Sequence, residues 1–470
     1  MKTTKLFFMA ALALTFAACS NDDNDFENPA QQPAEAQGIP FTATISMGGD
    51  KATTRALSEN GSGLTATWAE GEKVALIHNG IIDEVTVASV DGNVATISGT
   101  ITTDADGADV TVIFPYSAVD LVSKDVKAGL LTAQDGTLAT IAAKYDVRKG
   151  NGKLKVSGTA SLNEDVELTN QFAIWKLTLN NSAKDLYITA DGVLIASATR
   201  SSAGTEFYVA VPAVDSKTVA AVATDGSSNS WFFSKAGVSL AAGKYYQSSP
   251  TMTTLGTESS AAVYKMTGAG TIPAGKTAVL SGVTFSSTIS CSGDATIILM
   301  GDNTLNGGLQ ASPSGKTMTI TGTGSLNARG SVDNPGIGAF GDNNRGNIII
   351  CGGTITAQPG NYSSMAAGIG SGENGTCGNI TICGGTVTAT GGVYSAGIGS
   401  GMLACGTVTI TDGATKVTAT GGNDAENSIG KGYGSCGTVT IDGVVNATTS
   451  STFEHFNSAV SGSTWTLTHK

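Results

Sequence analysis

"NPGIGAFGDNNRGNIIICGGTITAQPG", residues 334–360, is followed closely by a near copy, "AAGIGSGENGTCGNITICGGTVTATGG", residues 366–392. Two more copies follow, "SAGIGSGMLACGTVTITDGATKVTATGG" at 395–422 and "NSIGKGYGSCGTVTIDGVVNATTS" at 427–450. Their central isoleucines, Ile337, Ile369, Ile398 and Ile429, are 32, 29 and 31 residues apart. A fixed period of roughly 20–50 residues marks a stacked repeat and decides architecture before local detail does. In each unit two apolar residues flank one outward position: Ile348/Ile350, Ile380/Ile382, Val408/Ile410 and Val439/Ile441. Glycine and a second alternating strand come next. No unit closes a core alone, so units must stack at about 4.8 Å.

The spacing predicts a right-handed parallel β-helix over residues 263–449. "ATIILMGDNTLNGG" (295–308) and "TMTITGTGSLNARG" (317–330) form its earlier, less regular coils. A propeller needs about four antiparallel strands per blade. These units supply two or three, with no hairpin dipeptide between them. Antiparallel pairing of the same strands is the alternative. Residues 450–470 drop the glycine pattern and gain Phe453, Phe456 and Trp465, as a terminal cap requires.

Residues 40–250 read differently. Short alternating runs such as "IPFTATISM", "KVALIHNG", "DVTVIFPYS", "FAIWKLTLN" and "EFYVAVPAV" are separated by Asn79-Gly80, Asp91-Gly92 and similar turns. Regular short strands with such punctuation predict a β-sandwich region. Residues 251–262 read as the linker between the halves. The chain is all-β: 62 glycines and 14% charged residues do not suit a helical protein.

The N-terminus carries its own instructions. Residues 1–18 have two lysines, a short apolar core and a small-residue end, the pattern of an export signal. Ala17 and Ala18 precede Cys19, and "SNDDND" follows it. This resembles the lipobox of bacterial lipoproteins, which implies a lipidated Cys19 and attachment to a membrane; each buried methylene contributes roughly 0.8 kcal/mol. Residues 19–39, rich in Pro, Gln, Ala and acids, read as a tether with too few apolar residues to fold. The acidic stretch behind the cysteine resembles a surface-export signal of gut and oral anaerobic Gram-negative bacteria, implying an outward-facing position on the outer membrane. Net charge is −12, or −14 once the two signal lysines are removed, which excludes a nucleic-acid partner. Past the signal, no run approaches the roughly 18 apolar residues of a membrane helix.

"TTRALSENGSGLTATWAEGEKVAL" (53–76) resembles the fimbrillin-like family of those bacteria, in its minor-fimbrillin-like branch. "VIFPYS" (112–117), "FYVAVP" (207–212) and "LAAGKYY" (240–246) agree in order and spacing. The resemblance implies transthyretin-like sandwich lobes and a role as fimbrial subunit, anchor or adhesin. Arg55 falls where some relatives are cut by a trypsin-like protease, which implies strand addition by another fimbrial subunit. The plainer reading of Arg55 is an exposed loop charge.

Candidate sites are sparse. Cys377, Cys405 and Cys436 recur at one place in successive units, and Cys351 and Cys383 at another. Rungs about 4.8 Å apart do not match disulfide Cβ atoms about 3.8 Å apart, so these read as ladders of free thiols. "GIGSG" lacks the lysine and the strand-to-helix setting of a phosphate loop. No catalytic set, metal site or cofactor is expected. A polysaccharide lyase, the enzymatic alternative, would have to assemble Asp302, Asp333 and Asp342 with Arg329 or Arg345. A purely structural surface role is the other alternative. Tyr362, Tyr394 and Tyr433 fall in turns between rungs, where aromatic rings stack on sugar faces. The sequence thus predicts a lipid-anchored adhesin or fimbrial component whose β-helix recognises a glycan or surface protein.

Overall fold

The computed structural model describes residues 38–47, 58–60, 63–65, 68–102, 104–121, 123–127, 129–226, 229–341, 344–361 and 364–470. Cys19, Arg55, Asp342 and Tyr362, with the signal and nearly all of the tether, lie outside the described residues.

The first lobe is built on Ile39–Met47, whose alternate residues Phe41, Ala43, Ile45 and Met47 point inward. This is the two-residue period of a half-buried strand. One edge pairs antiparallel with Val94–Ile101, the other parallel with Ala160–Leu162 and Val166–Asn170. From Val94–Ile101 the ladder continues through Ile81–Asp91, Lys73–His78, Asp109–Phe114 and Arg148–Val156 back to the strands at 160–170. The ring of hydrogen bonds is therefore closed, and Ile39–Met47 is filled on both sides. Trp68 packs edge-on against Phe114, centroids 4.8 Å apart, inside this ring.

The second lobe is one folded sheet around the long strand Ala173–Ala190, which returns as Val193–Val211 through Asp191-Gly192. Both turn residues have positive φ (47° and 78°), the requirement of the tight hairpin turn that matches strand twist. Register shifts between Thr178 and Asp185 let the strand's first half pair with Tyr245–Ser248 and its second with Val214–Thr224. Two of the motif pieces quoted above thus flank one strand: "FYVAVP" on one edge, the end of "LAAGKYY" on the other. A helical excursion at 130–145 joins the lobes, and the Gln134 amide bonds the Ala210 backbone at both ends.

From Val263 onward the chain coils. Every rung-on-rung pairing between Val263–Lys265 and Val439–Ile441 is parallel, and each full coil has three short faces. The repeated isoleucines stack in register: Ile337 on Ile369 on Ile398 on Ile429, with Ile348, Ile380 and Val408 on the next face. Their side chains form one continuous core. At the far end Thr464–His469 pairs antiparallel with Lys416–Thr420, placing Leu467 opposite Val417 and Trp465 opposite Ala419. Phe453, Phe456, Trp465 and Leu467 are buried there.

Residues 251–262, expected as a linker, run against both halves. Thr253–Thr254 adds to Ser230–Leu240, and Met252 and Leu255 are buried. Beyond them Val263, Val279, Ile298 and Met300, outward-facing on the coil, share one apolar cluster with Tyr187, Leu194, Ala220 and Val222 of the second lobe. Thr296 Oγ1 donates to the Gly192 carbonyl at 2.8 Å, and Lys127 of the first lobe pairs with Asp412 of the coil at 2.6 Å. The first lobe is thus a closed ring, not the open two-sheet sandwich that the strand pattern predicts, and the lobes and coil are held side by side by a packed interface.

Candidate recognition surface and the open end of the coil

The three-residue signal Gly-Ile-Gly explains how the rungs approach one another. A Cβ on Gly338 would stand 1.9 Å from the Gly370 carbonyl oxygen, one on Gly370 1.9 Å from that of Gly399, and one on Gly399 2.1 Å from that of Gly430. Each glycine leaves the space that the next rung's carbonyl fills. Their positive φ values, 148°, 139° and 133°, restrict the position further.

Gly430 has no such successor. A Cβ there would meet the Val439 side chain, not a carbonyl. The short face ends at Ile429–Gly430, whereas the neighbouring face is covered by the terminal hairpin of Phe456–Ser461 and Thr464–His469. In the rungs above, Ile369 and Ser371 donate to Gly397 and Gly399, and Ile398 and Ser400 donate to Ser428 and Gly430. Among the described residues, no backbone acceptor meets the equivalent N–H groups of Ile429 and Lys431. A cleft of about 640 Å3 lies at this place, bordered by the coil end, Asn446–Thr449 and the hairpin turn at Gly462. Glu426 and Lys431 pair with one another on its rim, 2.5 Å apart.

Tyr394 and Tyr433 are brought together on the turn side of the last rungs. Their rings meet edge to face at 6.0 Å, and the Tyr433 amide donates to the Tyr394 carbonyl at 2.7 Å. Tyr433 is 63% exposed.

The cysteines fall in two groups. Cys377, Cys405 and Cys436 are parallel neighbours on successive rungs, with sulfurs directed at the carbonyls of Gly346, Gly378 and Gly406. Hydrogen bonding to its two neighbours and burial push the Cys405 thiol well up, whereas its contact with Cys405 pulls Cys436 down. Cys351 and Cys383 sit on the lobe-facing side, sulfurs 2.6 Å apart, both buried in the interface cluster. Cys291, inside the coil, is pushed up to about 12 by burial.

Asp302 and Arg329, two members of the lyase alternative, are engaged separately. Asp302 accepts from Ser325 Oγ, Arg329 Nε donates to the Gly360 carbonyl, and Arg345 Nε is buried with no hydrogen-bond partner among the described residues. Among the described residues no group of three or more His, Cys, Asp and Glu is arranged to hold a metal.

One cluster escaped the sequence. His78, wholly buried, lies between Asp104 (Nδ1 to Oδ2, 2.9 Å) and Asp83 (Nε2 to Oδ2, 2.7 Å). Asp83 also accepts from the Thr102 amide and hydroxyl, and the His78 hydrogen bond holds the Asp104 carboxyl below its usual range. Separations of 5 and 26 residues follow no motif; only the alternation of the strand Lys73–His78 marks His78 as inward.

A repeat family described as Beta helix repeat matches residues 348–373 and 380–402, which fall across the first three copies. No curated protein matches the chain. Solved structures with partial likeness include a fimbrial protein from Bacteroides ovatus ATCC 8483 (16% identity, TM-score 0.25, 46% of this chain and 49% of that one). Two cell adhesion proteins described as putative are also similar. One, from Bacteroides uniformis ATCC 8492, has 12% identity and a TM-score of 0.26, covering 47% of this chain and 98% of that one. The other, from Bacteroides eggerthii DSM 20697, has 11% identity and a TM-score of 0.24, covering 45% and 86%. The chain thus spans about half the length of the first of these. Likeness at these scores carries no argument about function.

Proposed function

We propose that this chain is a surface adhesin or fimbrial component, lipid-anchored at Cys19 to the outer face of the outer membrane, whose coil is the recognition element. The observation that carries the reading is the coil itself: a parallel stack, packed along the second lobe, with a cleft at its open end and two tyrosines meeting edge to face on its turn side. The lipobox-like cysteine, the tether and the fimbrillin-like motifs supply the anchoring half of the reading. We take the lobes as transthyretin-like. The coil is taken as right-handed, the hand that parallel crossovers adopt almost without exception. Tyr394 and Tyr433, with Tyr362 outside the described residues, are the proposed glycan contacts.

Cutting after Arg55 would detach Ile39–Met47, and Cys19 with it, from the rest of the chain and free the two edges that the strand now fills, so the lipid-anchored form is the uncut chain. Strand addition by a further fimbrial subunit would use that slot.

Surface labelling with protease shaving of intact cells tests the location, and a protein that resists shaving until cells are lysed contradicts it. Glycan arrays and uronate polymers test the chemistry. Binding without new unsaturated ends supports the adhesin, and chain cleavage overturns it in favour of a lyase.

A further inference from the structure

The coil stops one strand short on its third face. Ile429–Gly430 presents a main-chain edge whose N–H groups, at Ile429 and Lys431, repeat the positions that the four rungs from Leu309 to Ser400 use to bond the next one. Gly430 keeps the missing side chain and the positive φ (101°) of its predecessors, but where they meet the next rung's carbonyl it meets a methyl of Val439, 2.6 Å from a built Cβ. An unpaired edge bordering a cleft is a template for another strand.

We propose that this end of the coil is an acceptor for an extended segment of another protein, which adds in parallel as the next rung. The occupant's chemistry follows from the site. Its carbonyls must meet the Ile429 and Lys431 N–H groups, which demands polypeptide main chain at rung spacing. One of those carbonyls must come over Gly430 by turning the Val439 methyl aside, and the residue bearing it is small, as Gly399 is where its carbonyl covers Gly370. An apolar residue stacks on Ile429, continuing the isoleucine column. Glu426 and Lys431 neutralise one another at the rim, so the segment is uncharged. A cleft of about 640 Å3 takes a short peptide and not a folded domain. This site is separate from the slot filled by Ile39–Met47.

The test uses the whole purified chain and one probe, the peptide Ser-Ala-Gly-Ile-Gly-Ser-Gly, the sequence of residues 395–401 that already pairs with this edge from the other side. Hydrogen exchange is read at single amides. The expected result is rapid exchange at Ile429 and Lys431 in the free chain and at least tenfold slowing with saturating peptide, while Ile398 and Ser400 are slow throughout. A peptide with sarcosine in place of the second glycine lacks the amide donor that a parallel rung needs and should bind at least tenfold more weakly. Gly430→Ala should block the site. If that variant melts early, the sarcosine peptide still decides on the native chain. Three results overturn the proposal: slow exchange at Ile429 and Lys431 without peptide, no change on adding it, or protection that rises with protein concentration alone, which would make the occupant a second copy of this chain.

Discussion

Gly192 and Gly275 meet backbone to backbone: a methyl group on Gly192 would stand 2.2 Å from the Gly275 carbonyl carbon. The hairpin tip of the second lobe is thereby seated on an early turn of the coil. Gly192→Ala must relieve this overlap and also adopt a positive φ, so it should cost about 2–5 kcal/mol in all. Gly237 has a similar φ (68°) and nothing within 4 Å of a built Cβ, so Gly237→Ala should cost only about 1–2 kcal/mol. Urea unfolding of the two variants side by side checks the difference, and equal losses would contradict a packed junction.

Ile369 is wholly buried between Ile337 and Ile398 in the column that defines the coil. Truncation to alanine should destabilise by about 2–5 kcal/mol, because neighbouring rungs are fixed by their ladders and cannot collapse into the cavity. Thr381, on the outward side of its strand, should tolerate alanine within about 0.5 kcal/mol. Thermal melts of both variants give the comparison.

The six cysteines after Cys19 should differ in reactivity. Cys436 is the least buried, borders the open cleft and has its thiol pulled down, whereas Cys291 and Cys405 are buried and pushed up. Brief alkylation of the native protein near neutral pH should label Cys436 first. After denaturation without reductant all six should count as thiols. A count of four with Cys351 and Cys383 peptides joined would overturn the free-thiol reading of that pair.

The first lobe should be acid-sensitive through Asp104. Its folded value lies below 3.8, so its contribution is complete above the unfolded value and is lost as pH falls through the folded one. Asp104→Asn should therefore be less stable than the parent at about pH 7, and the gap should narrow below about pH 4. Urea midpoints of both proteins at the two pH values check the sign. A gap that widens in acid would place the effect elsewhere.

The coil was legible because its signal is periodic: Ile337, Ile369, Ile398 and Ile429 announce the rungs, and the glycines beside them announce how close the rungs come. The strand content of the lobes was legible from alternation, as in Phe41, Ala43 and Ile45. The side-by-side packing was not. Val279, Ile298 and Met300, which make the junction, are indistinguishable in sequence from strand residues facing the coil's interior, and the Ala295–Met300 strand is buried on both sides. Closure of the first ring escaped for a similar reason, since parallel pairing of Ile45 with Val166 across 121 residues leaves no local mark. The His78 cluster needs three separate strands and loops to be placed before its members meet. The open end was hidden too, because Gly430 looks like any other member of its series until the next rung is found to be missing.

In the proposed function a chain anchored at Cys19 presents the coil outward for recognition. The direct measurement is adherence of intact cells carrying the full chain to immobilised glycans, compared with cells carrying Cys19→Ser and cells carrying the double variant Tyr394→Ala/Tyr433→Ala. The account predicts adherence with the parent chain, its loss with Cys19→Ser as the protein leaves the membrane fraction, and at least a tenfold loss with the tyrosine variant at equal surface amount. Undiminished adherence by cells that have shed the chain, or none by cells that display it, would contradict the account.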